Sequence, residues 1–349
     1  MRYVGVIGRT VRFATDGLKF ASATVDHAVA DRRSAITTVH GSLTGDNVLA
    51  FVHYSKNGRP VPLEARALAF AKRAGLCVCV VTNLDAGVEC PLTLWTDCAD
   101  VVIERANTGR DLAAFRDAIR YLVRTGYRGP IALANDSVIW REDAHAALAS
   151  KAGGIGAQVV GATSSLEPFP HLQTPWIWLS GSVSRAQLMQ LSGLWRNVRT
   201  RGAAITYGEL PFTNAATDLG LSTRAIFPYE TVLAALLREG EGPDISHDTR
   251  KRRNRVILAA TQGIALNPTH FMWSELLALG YPGIKRDLLR TNPVAIDDYF
   301  RIRPVAAEFG FDPEDLPVAP KRRNLLSRVQ ERVVLGSGSG KATGGTTLT

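Results

Sequence analysis

The strongest constraint on the fold is a repeated order of a short apolar run, a polar cluster and a helix-like segment. Apolar runs at 48–52, 76–82, 101–103 and 129–134 have the length and composition of buried strands. Between them, the spacing of apolar residues predicts helices over 62–74 and 111–124. Two strands of one sheet that are joined by a crossover helix lie parallel. The sequence therefore predicts an α/β protein built on a parallel, Rossmann-type sheet.

Polar side chains follow each of these runs at the point where the strand ends. Because the carboxyl ends of parallel strands meet at one edge, where open α/β sheets bind ligands, we expect a shared binding edge. Asp136, flanked by Asn135 and Ser137, is its central carboxylate, suited to a hard divalent cation or a sugar hydroxyl. The other polar residues that we place at this edge are His53, Tyr54, Asn83, Asp85, Asn107, Arg110 and Asp111.

The bulk composition is that of an ordinary globular protein with a basic balance. The chain has 349 residues, is 46% hydrophobic and carries a formal net charge of +9. No apolar run is long enough for a membrane-spanning helix, and charged residues interrupt the N-terminal apolar stretch, so we expect the protein in the cytoplasm. The four cysteines fit this compartment, and we interpret them as small buried hydrophobes rather than as metal ligands.

Two common nucleotide-binding signatures are missing after every predicted strand. Neither the glycine fingerprint of dinucleotide-binding sheets nor a Walker loop is present. This disfavours dinucleotide oxidoreduction and P-loop hydrolysis. A carboxylate edge combined with basic residues from elsewhere suits transfer from an activated phosphate ester, in which the protein binds the leaving diphosphate and a carboxylate accepts a proton.

Six segments, in order along about 48–295, together resemble the rhamnan synthesis protein F family. The segments are 52–54 (Val-His-Tyr), 107–111 (Asn-Thr-Gly-Arg-Asp), 133–137 (Leu-Ala-Asn-Asp-Ser), 172–180, 267–271 (Asn-Pro-Thr-His-Phe) and 285–293. Gly283 departs from the family pattern, which has a larger aromatic residue there. The family is grouped with glycosyltransferases of bacterial cell-surface polysaccharide assembly and has a nucleotide-diphosphosugar-binding fold of the GT-A kind.

The resemblance implies transfer of a sugar, with rhamnose as a candidate, from a nucleotide-diphosphate donor to a glycan or lipid-linked acceptor. It places Asp136 where such folds hold a metal ion, Mg²⁺ or Mn²⁺, or the donor sugar. The sequence Asn135-Asp136-Ser137 lacks the second acid of an Asp-x-Asp motif, which leaves the metal requirement open. The acid from the later part of the chain that would act as catalytic base is Glu209 or Asp218. The residues expected to contact the donor are His53, Tyr54, Asn107, Arg110, Asp111, Asn135, Asp136, His171, His270 and Lys285.

The predicted organisation has four parts. Residues 1–46 form a peripheral segment, 47–230 the GT-A-like catalytic domain, and 231–320 a helical part that completes the site. Residues 321–349 form a basic segment and a disordered tail. Apolar residues within 322–335 recur at near-helical spacing, so this segment is either a surface helix on an anionic membrane or a frayed terminal helix.

Other interpretations remain at this stage. Asp111 suits a helix N-terminus, and capping alone would explain it. The missing second acid favours a non-catalytic sugar-binding scaffold within a polysaccharide-assembly complex. The charge of +9 permits a nucleic-acid partner, but the chain has no nucleic-acid-binding motif, and we expect no such partner.

Overall fold

A computed structural model describes residues 20–238, 246–296, 298 and 301–312. Its main sheet contains nine strands, and two further strands form a small separate sheet. In chain order the strands are β1 (Ile36–Gly41), β2 (Val48–Tyr54), β3 (Cys77–Leu84), β4 (Val101–Ala106), β5 (Ile131–Asn135), β6 (Val138–Trp140), β7 (Val159–Ser165), β8 (His171–Leu172), β9 (Trp176–Leu179), β10 (Thr223–Phe227) and β11 (Gly283–Lys285).

The main sheet has the order β1-β4-β3-β2-β5-β9-β7-β10, with β8 beside β7. Strands β2, β3, β4 and β5 run parallel, as the crossover pattern predicts. Strand β9 is antiparallel to both β5 and β7, and β1 is antiparallel to β4 at the edge. The expected α/β class with a mostly helical C-terminal region is confirmed, although the sheet is mixed rather than wholly parallel.

Helices cover both faces of this sheet. They are α1 (residues 20–29), α2 (Pro62–Arg73), α3 (Arg110–Arg124), α4 (Ala144–Ile155), α5 (Arg185–Ser192), α6 (Arg201–Ala204), α7 (Phe212–Asp218), α8 (Tyr229–Arg238), α9 (His247–Thr261), α10 (Pro268–Phe271), α11 (Trp273–Ala278), α12 (Arg286–Arg290) and α13 (Ile302–Glu308). A 3₁₀ turn at Leu92–Leu94 and a π-helical turn at Ile205–Glu209 complete the regular structure of the described residues.

The core has two halves because successive strand residues point to opposite faces of the sheet. In β2, Leu49 and Phe51 face the half that contains α2, α4 and the C-terminal helices. Val48 and Val52 face the half that contains α3, α5 and α7. Both faces of β2 to β5 are therefore covered, which explains the nearly continuous apolar runs that identify these strands in the sequence.

The C-terminal region joins the main sheet through the small sheet of β6 and β11. These strands pair antiparallel, with Gly283 opposite Trp140 and Lys285 opposite Val138. A Cβ on Gly283 would lie 2.6 Å from Cγ1 of Val138 and 2.9 Å from the ring of Trp140, so the tryptophan fills the space at this pair. The pairing fixes the position of β11 relative to the end of β5, which lies just before β6 in the chain.

A buried ion-pair network holds the C-terminal helices together. The guanidinium group of Arg252 on α9 contacts Glu275 at 3.0 Å and Asp298 at 2.9 Å, and all three side chains are buried. Removing one partner of such a network leaves an uncompensated buried charge, which is strongly destabilising.

The four cysteines are free, and three of them are buried, as expected for small apolar side chains. No helix in the described part of the chain is long and apolar enough to cross a membrane. The predicted basic segment and tail at 321–349 lie outside the described residues.

Candidate functional site

The ends of the parallel strands open into a cleft of about 970 Å³. This volume is at the upper end of the range for pockets that bind small molecules and cofactors. The walls come from the ends of β2, β4 and β5, from the 197–209 segment, from β11 and α12, and from residues 26–31 at the end of α1. Eight of the residues that the sequence places at a donor or catalytic site line it: Tyr54, Asn107, Arg110, Asp111, Asn135, Asp136, Glu209 and Lys285.

Asp136 is fixed at the turn between β5 and β6. Its backbone N–H donates to the carbonyl of Val52 at 3.2 Å, and its Oδ2 accepts the backbone N–H of Tyr54 at 3.0 Å. The side chain is only 15% exposed. Burial, followed by the nearby carboxylates of Glu64 and Asp111, raises the pKa of Asp136 to about 7. Positive charge placed beside Asp136 would therefore stabilise the ionised form of this carboxylate.

The neighbouring Asn135 connects this turn to α3. Its Nδ2 donates to Oδ2 of Asp111 at 2.9 Å, and its Oδ1 accepts from the hydroxyl of Ser137 at 2.6 Å. The N-cap of α3 is Gly109, and Asp111 lies in the first turn of that helix. This carboxylate therefore has a side-chain partner in addition to its place at the helix N-terminus, and its pKa is raised by burial against the opposing effect of Lys285.

The turn after β4 takes a left-handed backbone at two successive residues. Gly109 has φ 71° and Arg110 has φ 55°. A Cβ on Gly109 would lie 2.3 Å from Cβ of Ala113 and 2.8 Å from Cα of Asn197, so only glycine fits. Behind the turn, the buried guanidinium group of Arg105 donates to the carbonyl of Thr108 at 2.8 Å. The turn is thus held in place from the core side.

The carboxylate of Asp85 joins two of the residues that are expected to contact the nucleotide-sugar donor. The hydroxyl of Tyr54 donates to Asp85 at 2.9 Å, and Nδ2 of Asn107 donates to the same carboxylate at 2.7 Å. These hydrogen bonds lower the pKa of Asp85 and keep it ionised. The Tyr54 residue is 38% exposed, so part of its ring is free to stack on a planar ligand group.

Basic side chains from α6, β11 and α12 form a wall of the cleft that meets the Asp136 turn. Nζ of Lys285 donates to the hydroxyl of Ser137 at 3.2 Å, which places the ammonium group at the Asp136 turn. Arg201 contacts Asp287 at 3.3 Å, and Arg290 is exposed at the end of α12. Arg286 forms an ion pair with Glu64 beneath the cleft. This wall is suited to phosphate groups.

Two of the residues that are expected to contact the nucleotide-sugar donor lie just outside the cleft lining. His53 is completely buried beneath Asp136, with Nδ1 at 2.9 Å from Oε2 of Glu64 and 4.0 Å from Oδ2 of Asp136. His270 lies behind Asp287, and its Nε2 is 3.0 Å from Oδ1 of that residue. This histidine holds the pKa of Asp287 well below its usual range.

Two further candidates are placed away from the cleft lining. Asp218 is exposed at the end of α7. His171 is buried in β8, where its Nδ1 lies 2.8 Å from the carbonyl of Phe169. Glu209, by contrast, lines the cleft at the end of the π-helical turn. Such turns occur often at functional sites.

The structure adds residues that the sequence analysis did not select. They are Asp26, Asp31, Arg199, Arg201, Arg286, Asp287 and Arg290 in the lining and Glu64 beneath it. Arg286, Asp287 and Arg290 lie in the 285–293 segment, so the cluster of basic residues around Lys285 is a signal for them. Glu64 has no such signal, because an acid in the first turn of a helix is common.

One group of side chains could hold a divalent cation. His53, Glu64 and Asp136 each offer a ligand atom, and these atoms lie within 4.8 Å of one another. Nitrogen and carboxylate oxygen ligands suit several divalent metals. Asp136 is the residue that the sequence analysis expects at a metal site, and the other two ligands come from β2 and α2.

Comparison with known proteins adds remote structural similarities. No protein-family model and no curated protein sequence matches the chain. A mannosyltransferase from Pyrobaculum calidifontis in complex with GDP-Man and Mn²⁺ is 13% identical, with a TM-score of 0.35, and the match covers 89% of each chain. A 4-diphosphocytidyl-2C-methyl-D-erythritol synthase is 15% identical, with a TM-score of 0.35, and the match covers 53% of this chain and 90% of the synthase.

Proposed function

We propose that this chain is a glycosyltransferase that moves a sugar from a nucleotide-diphosphate donor to a glycan or lipid-linked acceptor. The observation that carries this proposal is the cleft at the strand ends, whose lining combines Asp136 and Asp111 with Lys285 and Arg290. A donor of this class has a diphosphate that needs positive charge and sugar hydroxyls that need acceptors. The cleft offers both within one volume of about 970 Å³.

The basic wall would bind the diphosphate, and its charge would matter most as the sugar leaves. Negative charge grows on the diphosphate in the transition state, so fixed cations stabilise that state more than the bound donor. Lys285 is held at the Asp136 turn by Ser137, which keeps the ammonium group near the expected bond cleavage. A bound divalent cation would supply further positive charge to the leaving diphosphate.

The acids would act on the sugar and the acceptor. Asp136 would accept hydrogen bonds from the donor sugar or hold the cation, because its carboxylate is fixed by the Tyr54 backbone. Glu209 is the candidate base that takes a proton from the acceptor hydroxyl, since it lines the same cleft as Asp136. Tyr54, held by Asp85, would stack on the planar base of the nucleotide.

The finer parts of the proposal rest on the sequence. Rhamnose as the sugar and a cell-surface polysaccharide as the product follow from the resemblance to the rhamnan synthesis protein F family. Peripheral contact with an anionic membrane follows from the basic segment at 322–335. The proposed role of 231–320 in completing the site is supported by Lys285, which this region contributes to the cleft.

A non-catalytic donor-binding scaffold is the second candidate. The missing second acid favours it, since the amide of Asn135 donates its hydrogen bond to Asp111 and offers no charge to a metal ion. The scaffold and the enzyme share donor binding and differ in turnover.

The test is a panel of nucleoside-diphosphate sugars, scored for binding by calorimetry and for release of nucleoside diphosphate, with and without Mn²⁺. We expect saturable binding of one donor class and a loss of at least about tenfold in affinity in Lys285→Ala, corresponding to one charge-assisted contact. Lys151→Ala is the matched control, because that exposed lysine lies on α4 outside the cleft. Binding without release with any acceptor tested identifies the scaffold, and no binding to any donor refutes both candidates.

A further inference from the structure

We infer that His53, Glu64 and Asp136 form a binding site for a divalent transition metal beneath the floor of the cleft. The three residues come from the end of β2, the first turn of α2 and the turn after β5. Their ligand atoms lie within 4.8 Å of one another, a spread that a single ion can span with bonds of ordinary length. Metal binding at this position does not depend on the proposed glycosyl transfer.

Two buried atoms point into the site without a well-directed hydrogen-bond partner among the described residues. They are Nδ1 of His53 and Oε2 of Glu64. Their side chains are 0% and 6% exposed, so water cannot freely satisfy them. Although the two atoms are 2.9 Å apart, their directions do not meet the geometry of a hydrogen bond. Buried polar atoms left in this state are costly unless another group, such as an ion, binds them.

The second nitrogen of His53 is already committed. Nε2 lies 3.0 Å from the carbonyl oxygen of Arg59, and a carbonyl only accepts, so Nε2 carries the hydrogen. In the neutral ring this leaves the lone pair on Nδ1, which lies 2.9 Å from Oε2 of Glu64 and 4.0 Å from Oδ2 of Asp136. A backbone carbonyl behind the ring is the arrangement by which proteins fix a metal-binding histidine. The ring also packs edge-on against Trp95 at 5.0 Å, which limits its rotation.

Glu64 and Asp136 each keep part of their carboxylate for a metal. Arg286 binds Oε1 of Glu64 and leaves Oε2 toward His53. The backbone N–H of Tyr54 fixes Asp136 through Oδ2, and this residue alone of the three lines the cleft. The ion would therefore sit between core and cleft and would hold Asp136 in a fixed orientation toward the ligand.

The ligand set selects the kind of metal. One imidazole nitrogen and two carboxylate oxygens suit Mn²⁺, Fe²⁺, Co²⁺ or Zn²⁺, whereas Mg²⁺ and Ca²⁺ prefer oxygen ligands alone. Among these metals, affinity for a mixed nitrogen and oxygen site is lowest for Mn²⁺ and higher for Zn²⁺. Zn²⁺ should therefore displace Mn²⁺ from the protein, and an equal concentration of Mg²⁺ should not.

The test uses Mn²⁺ alone, on chelator-treated full-length protein without any nucleotide. Binding is followed by the loss of the free-ion electron paramagnetic resonance signal, and pulsed measurements detect hyperfine coupling to a directly bound nitrogen. We expect wild-type protein to bind Mn²⁺ with one nitrogen coupling. In His53→Gln this coupling should disappear, and in Asp136→Asn, which keeps an acceptor for the Tyr54 N–H, affinity should fall at least about tenfold.

The matched control is His40→Gln. His40 also pairs with a carboxylate, with Nε2 2.7 Å from Glu104, but it belongs to no three-ligand group among the described residues and lies on the edge strand β1. This variant should keep both the affinity and the nitrogen coupling of the wild type. Because His53 is buried, folding of each variant is checked by circular dichroism, and Asp136→Asn gives an answer if His53→Gln does not fold.

Three results would overturn the inference. They are no Mn²⁺ binding, binding without nitrogen coupling, or binding that Asp136→Asn leaves unchanged. A nitrogen-free signal would mean that Mn²⁺ sits on carboxylates of the open cleft. Failure of the donor-binding experiment leaves the metal result intact, so the two proposals can fail separately.

Discussion

The amide of Asn135 donates a hydrogen bond of 2.9 Å to the carboxylate of Asp111, joining two turns that lie 24 residues apart in the chain. One turn ends β5 and the other begins α3. The bond gives Asp111 a partner inside the cleft wall and orients the side chain next to Asp136. The orientation of Asp111 therefore depends on this neutral amide, whereas Asp136 is held by the backbone N–H of Tyr54.

Replacing Asn135 by alanine should lower the free energy of unfolding by about 1–3 kcal/mol. The change removes the donor to Asp111 and the acceptor of the Ser137 hydroxyl, and it leaves a carboxylate partly buried without its partner. Urea denaturation measures the effect. Asn254→Ala, at an exposed position of α9, is the control and should cost less than about 0.5 kcal/mol. Equal stability of the two variants would contradict the role given to the Asn135 amide.

Replacing Gly109 by alanine should distort the turn that begins α3. The substitution adds left-handed strain of about 1–2 kcal/mol and also forces a Cβ to within 2.3 Å of Ala113. Gly126 separates these effects, since it has φ 83° and a Cβ added there would meet no atom within 4 Å. Gly126→Ala should show the strain alone. We expect Gly109→Ala to be the less stable variant in thermal unfolding and to lose donor affinity, which Gly126→Ala keeps.

The choice between the two candidate bases can be settled by kinetics. Glu209→Gln should lower kcat by about a hundredfold or more, because a general base contributes at least that much, while donor affinity stays close to that of the wild type. Asp218→Asn should leave kcat unchanged, since Asp218 is exposed outside the cleft lining. A large loss of kcat in Asp218→Asn with normal turnover in Glu209→Gln would reverse the assignment.

His145 should make the fold sensitive to mild acid. Burial lowers the pKa of this histidine from 6.5 to about 3, and neither ring nitrogen has a hydrogen-bond partner among the described residues. Below pH about 6.5 the unfolded chain binds a proton at this histidine and the folded chain does not, so the contribution of His145 to stability falls by about 1.4 kcal/mol for each pH unit toward pH 3. Asp136, whose pKa is raised to about 7, acts in the opposite direction, so the effect of His145 is read from a variant that lacks it. Above pH about 6.5 the imidazole is neutral in both states, and this loss of stability is absent.

The test compares wild-type protein with His145→Leu by urea denaturation near pH 7 and near pH 5. The leucine variant should be at least as stable near pH 7, because it removes two unsatisfied buried atoms, and should lose less stability near pH 5. Equal changes in stability of the wild type and His145→Leu between these pH values would contradict the lowered pKa of His145. His40→Gln again serves as the control, at a half-buried histidine on β1.

The sequence predicted the fold where local pattern determines it. Apolar runs and crossover helices indicated the parallel strands β2 to β5, and the polar residues after them meet at one cleft because parallel strands end on one side. The pattern could not give the direction of β9, since Trp176 to Leu179 is equally apolar in either direction and pairs on both sides.

The site was less accessible to sequence reasoning wherever distant segments meet. Glu64 and Arg286 form an ion pair although 222 residues separate them in the chain. The sequence around each residue gives no indication of the other as its partner. Asp111 has the position of a capping residue, and its actual partner depends on how α3 packs beside β5. Such contacts follow from tertiary packing and are visible only once the strands are ordered.

The contact between Gly283 and the ring of Trp140 constrains how this protein can vary. A bulky side chain at 283 has no room while the indole stays at 140, so a homologue with an aromatic residue at 283 should carry a smaller one at 140. Because β11 places Lys285 at the cleft, an unmatched change at either position should shift the ammonium group and weaken donor binding without touching any ligand-contacting residue. The size of the Trp140 side chain on β6 thus determines where the ammonium group of Lys285 on β11 lies in the cleft.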